Sequence, residues 1–196
     1  MIYRKKTDFV PSQIETYEQW VTLSRGEETP FGRFQFLYTG LRCLTWLFRE
    51  NDVRGEYDGV SACVEYLYAK NPRTMNDLVD TKEFANARDF IVKELGEGVK
   101  FLDRRTNTQV ESDEIAAIRQ LTYLYVESKD YSPHDRVSAI LRTIHQFHVN
   151  FCHFSKKDFD IAEKGARVFG EFVNAYGNLI LPVLKTERRG STKKVA

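Results

Sequence analysis

Cysteine is scarce in this 196-residue chain, and so is any bias of charge. Cys43, Cys63 and Cys152 are scattered and form no CxxC pair. An odd, dispersed set fits neither a disulfide framework nor a zinc ribbon, and a reducing, cytoplasmic compartment is its simplest setting. The formal net charge is +1, which gives no global field toward nucleic acid or a membrane surface, although a local basic patch is compatible with it. No apolar run approaches the ~18 residues of a membrane span. Met1 leads into the charged stretch IYRKKTDF rather than into an apolar signal core. Turn signals are few: there are five prolines and eleven glycines, and Asp58-Gly59 is the sole hairpin-type dipeptide. A Gly-rich phosphate loop, HExxH, GxSxG and the kinase signatures are all missing, as is the strand pattern of an RNA-recognition domain.

What remains is helical. With 42% hydrophobic and 13% aromatic residues, the chain can bury one substantial core. The pattern predicts an all-α helical bundle with short connections. Residues 1–30 form an N-terminal arm and a short helix over 11–23, residues 31–184 the helical domain, and residues 185–196 a basic, disordered tail. Within the domain, FGRFQFLYTGLRCLTWLFRE (31–50) is apolar almost all round, as helices central to a bundle are. Gly40, inside it, is either a point of close approach to a neighbour or merely tolerated. A charged turn over 51–59 precedes a helix over 60–70 that turns Val64, Leu67 and Tyr68 inward. Residues 74–96 hold one or two further helices, and Ser112 caps another to about 127. A last helix starts at Asp158 and ends at Pro182.

The long helix over 137–159 organises the rest. It carries His145, His148 and His153, and Ser132-Pro133 with Asp135 signal its start. At about 100° per residue, Ile140, Ile144, Phe147 and Phe151 share an apolar stripe. Arg142, Gln146, Asn150 and His153 fall on the opposite side. His145 lies beside the polar stripe and His148 at the edge of the apolar one. His145 and His148 stand three apart, but no Asp or Glu follows them before Asp158, so no metal site and no cofactor are expected. Cys152 stands four after His148, and a buried inert thiol is its simpler reading against a nucleophile.

Two stretches, FQFLYTGLRCLTWLF and IHQFHVNFCHFSKK, together resemble the HEPN family, whose members carry an Arg followed four to six residues later by a His in a C-terminal helix. In that register His153 matches the family histidine, Asn150 a polar position inside the motif, and Lys156 or Lys157 the lysine that follows. The sequence departs from the family at His148, which stands where the family has Arg, at Val149, where it often has a polar residue, and at Phe154, where it often has Gly. A literal Arg-x5-His match, Arg142 to His148, sits one to two turns earlier. The specific part of the resemblance covers under about twenty residues.

The resemblance implies metal-independent RNA cleavage at a homodimer interface, serving a defence or toxin system. There the ribose 2′-hydroxyl attacks the adjacent phosphate, a histidine moves the proton, and a cation stabilises the phosphorane. It would place His153, His148, Asn150 and Arg142 in the catalytic site and Lys156 and Lys157 on RNA. The alternative it implies is a catalytically inactive HEPN-like module that dimerises and binds RNA or a protein partner. An enzyme needs His153 and His148 exposed in a shared groove with Arg142 nearby; an inactive module leaves these histidines packed or separated.

Overall fold

The computed structural model describes residues 9–48, 56–95, 130–149 and 159–192. Among them are seven α-helices and no strand: α1 (Phe9–Gly26), α2 (Pro30–Thr45), α3 (Glu56–Lys70), α4 (Pro72–Val79), α5 (Lys82–Phe90), α6 (Pro133–Val149) and α7 (Phe159–Thr192). The all-α bundle expected from the sequence is the observed architecture. The expected helix over 112–127 and the residues 150–158 lie outside the described residues.

Local chemistry sets the helix starts. Thr29 has extended backbone and its hydroxyl accepts from Gly32 N at 3.1 Å, with Pro30 in the first turn, so α2 begins there. Thr81 caps α5 in the same way, accepting from Phe84 N. At α6, Asp135 N donates to Ser132 Oγ at 3.2 Å, and that hydroxyl donates to the Asp135 carboxylate at 2.6 Å. The start signal read from Ser132-Pro133-Asp135 is therefore realised.

α1 and α2 are joined by a short turn and fold back on one another. Trp20 of α1 packs on Phe36 of α2 with ring centroids 5.7 Å apart. Gly40 is the point of close approach: a Cβ there would lie 3.0 Å from Trp20 Cβ and 3.2 Å from Tyr17 Cδ2. Of the two readings of Gly40, the structure takes close packing.

α7 is the spine. Its Gly170 faces Phe34 and Leu37 of α2, Phe172 packs on Phe84 of α5, and Phe169 meets Phe90 of α5 edge-on at 5.3 Å. Phe147 of α6 closes the core, edge-on to Phe34 at 5.4 Å and to Phe169 at 5.0 Å. Val137, Ile140, Leu141, Ile144 and Phe147 are all buried, so the apolar stripe of α6 is the one its periodicity predicts.

The structure corrects several boundaries. α1 runs from Phe9 to Gly26, longer than the short helix expected over 11–23, and it takes in the end of the supposed loose arm. α3 begins at Glu56, inside the expected charged turn. The buried stripe Val60, Cys63, Val64 and Leu67 outweighs the roughly 1 kcal/mol that Gly59 costs in a helix. Tyr68 faces outward rather than inward, 38% exposed, with its ring 5.3 Å from His134. α2 ends at Thr45 and tightens into a 3₁₀ turn over Trp46–Phe48, leaving Trp46 exposed. A π-helical turn over Ile91–Leu95 prolongs α5 and buries both of its end residues.

Pro182 does not end the last helix, which continues to Thr192 and so takes in most of the expected disordered tail. Pro182 withholds its N–H from the carbonyl of Asn178, but both residues are exposed, so water can satisfy that carbonyl. Beyond it, Thr186 Oγ1 donates back to the Pro182 carbonyl at 2.7 Å, and Lys185 pairs with Glu18 of α1 at 2.7 Å.

Candidate functional site

The histidines of α6 point at α2. Tyr38 Oη lies 2.7 Å from His145 Nδ1, and Gln35 Nε2 lies 3.1 Å from His148 Nε2. These contacts form a ladder. Gln35 and Tyr38 are three apart on α2, His145 and His148 are three apart on α6, and the pairing is antiparallel. A three-residue step rises about 4.5 Å on either helix, so one register satisfies both rungs.

Each rung joins a polar side chain of α2 to one ring nitrogen of α6, and the tautomer of each imidazole decides which partner donates. Aromatic rings enclose the seam: the Tyr38 ring lies against His148, tilted by 31° with centroids 4.4 Å apart, and Phe34 lies 6.3 Å from it. Tyr38 is buried and both histidines are half-buried.

Arg142 does not join them. It is exposed, and six positions along a helix turn it about 120° away from His148. The literal Arg-x5-His match therefore spans two faces of α6. Gln146 is half-buried. Asn150, His153, Lys156 and Lys157, the other residues singled out by the sequence, lie outside the described residues, as does Cys152.

Sequence reasoning missed Gln35 and Tyr38. Their signal was available, because a polar Gln and a Tyr at i,i+3 on an apolar helix match two histidines at the same spacing on another. In sequence alone Tyr38 reads as one more apolar residue of that helix.

Other reactive groups are quiet. Burial pushes the Cys63 thiol up to about 12, against the smaller opposing effect of a hydrogen bond with Tyr176, so Cys63 is a packed, protonated thiol. Desolvation also raises Cys43. Among the described residues no group of three or more His, Cys, Asp or Glu side chains is placed to hold a metal ion. None of the described helices is long and apolar enough to cross a membrane. Comparison with protein-family models, with curated proteins and with solved structures finds no match to this chain.

Proposed function

We propose that this chain is a non-catalytic, HEPN-like helical interaction module that acts by binding a protein partner. One observation carries the reading: His145 and His148 are engaged by Tyr38 and Gln35 of α2, while Arg142 looks out from a different face. Catalysis of RNA cleavage needs an imidazole within reach of the 2′-hydroxyl or the leaving oxygen and a cation on the same phosphate. An imidazole packed 4.4 Å from a buried tyrosine ring and hydrogen-bonded to a neighbouring helix instead helps fix how two helices meet. The near-neutral charge of the chain supplies none of the long-range attraction on which RNA binding draws.

The nuclease alternative is tested directly. Purified protein is incubated with a fluorescent single-stranded RNA in EDTA, as wild type, His148→Ala and His153→Ala. The expected result is background cleavage in all three. Metal-independent cleavage by the wild type that His153→Ala abolishes would replace the interaction module with the ribonuclease.

A further inference from the structure

A groove of about 560 Å³ runs along α7, walled by the α1–α2 turn and by the first turns of α2 and α5. Its floor is low because Ala166, Gly170 and Ala175 carry little or no side chain. α7 lays Arg167, Glu171, Asn174 and Asn178 along it, and Glu28 and Arg33 face them from the α1–α2 hairpin. Among the described residues these six polar side chains have no hydrogen-bond or ion-pair partner. Two arginines, two glutamates and two asparagines around one groove would ordinarily find one another; here they are held apart with their donors and acceptors open.

We propose that this groove takes an extended peptide segment of a protein partner, one that carries Lys or Arg side chains. The proposal rests on the interaction-module reading above and names its site and ligand.

Geometry selects the extended peptide. Asn174 and Asn178 are one helical turn apart, a rise of about 6 Å. An extended chain repeats its same-side peptide groups every two residues, about 6.6 Å. Each asparagine offers a donor and an acceptor, the complement of one peptide group. The two amides can therefore hold successive same-side peptide groups of a strand lying along α7. From Arg167 to Asn178 the stripe is roughly 16 Å long, enough for about five extended residues. Arg33 and Arg167 supply further donors for backbone carbonyls.

Charge selects the side chains. Four glutamates line the groove, Glu27, Glu28, Glu83 and Glu171, against the two arginines. Glu27 is already engaged, because one of its oxygens accepts from both the Thr29 amide at 3.0 Å and the Thr29 hydroxyl at 2.6 Å, and these bonds hold its carboxyl below the usual range. Glu83 lies 3.9 Å from the well-exposed Lys82, a loose pair that a ligand cation can replace. Glu28 and Glu171 are open. The surplus of carboxylates favours a cationic side chain on the ligand and disfavours a phosphate backbone.

The test is a display library of random ten-residue peptides, selected on wild-type protein and re-measured by fluorescence polarisation on variants. The wild type should enrich peptides with Lys or Arg at alternating positions. Asn174→Ala/Asn178→Ala should weaken every selected peptide at least tenfold, because backbone contacts are lost. Glu28→Gln/Glu171→Gln should weaken the basic peptides selectively. Asn86→Ala, on the exposed side of α5 and outside the groove, should leave binding unchanged. No enrichment, or selected peptides that bind the groove variants as tightly as the wild type, would overturn the proposal, as would a single-stranded RNA that binds in a manner dependent on Asn174 and Asn178. The outcomes separate the two levels: a groove that fails in a protein without RNA-cleaving activity removes the peptide site alone, whereas cleavage abolished by His153→Ala removes the module reading itself.

Discussion

Phe147→Ala is expected to destabilise the protein by about 3–5 kcal/mol, the range for emptying a fully buried aromatic site. Phe147 has no exposed surface and stands edge-on to Phe34 of α2 and Phe169 of α7, so three helices meet on one ring. Edge-to-face pairs add to the area term, and two such pairs disappear together. Gly165 of α7 lies against the Phe147 ring, where a Cβ would come within 2.8 Å of it, and so has no side chain with which to fill the gap. Urea denaturation followed by circular dichroism measures the loss. Phe147→Leu keeps most of the volume and should cost less than half as much. A loss under about 1 kcal/mol for the alanine variant would mean that α6 does not pack on α2 and α7 as described.

Gly177→Ala should also destabilise, against the direction of helix propensity. Alanine in a helix interior gains about 1 kcal/mol over glycine. Here a Cβ would collide with Tyr17 Oη and sit 2.8 Å from Tyr17 Cζ. Tyr17 is 2% exposed, and its ring is packed beside Gly40 on α2, so it cannot swing aside freely. Its burial is strong enough to push the phenol up to about 12. Overpacking of this kind costs about 1–3 kcal/mol or more, and the net change should be a loss. The cause can be isolated by a double-mutant cycle. In a Tyr17→Phe background the closest contact is gone, and the Gly177→Ala penalty should shrink by at least about 0.5 kcal/mol. It should not vanish, since Cζ remains under 3 Å away. Stabilisation by Gly177→Ala in the wild-type background would show that α1 and α7 do not approach as closely as described.

Much of this architecture was legible in the residues. The period of apolar positions in α6 marks which face is buried, because a helix has one such face and the core has one place for it. The start of α6 was written in Ser132, Pro133 and Asp135. The misses have physical causes as well. Pro182 signals a helix end from local chemistry, yet the lost hydrogen bond falls on the exposed side of α7, where the carbonyl is open to solvent. Gly59 and its charged neighbours signal a turn, but the buried stripe that follows carries the helix back to Glu56.

The histidine seam was half legible. Their helix, their spacing and the place of His148 at the edge of the apolar stripe came from sequence alone. Their partners did not, because a pairing 107 or 113 residues apart leaves no local trace. The groove along α7 was invisible for the same reason. Arg33, Glu28, Asn174 and Asn178 each read as ordinary surface residues until the fold brings them to one cleft. The Arg142-to-His148 spacing shows the opposite error, a pattern in one dimension that a helix separates onto two faces.

The central claim is that the α6 imidazoles are bound to α2 rather than poised over a substrate. Long-range ¹H–¹⁵N correlation of the histidine rings tests it most directly, comparing wild type with Tyr38→Phe and Gln35→Ala. The account predicts that Tyr38→Phe shifts the Nδ1 resonance of His145 and that Gln35→Ala shifts the Nε2 resonance of His148, with single-stranded RNA leaving both unchanged. Rings whose resonances ignore both substitutions but move on adding RNA would contradict it.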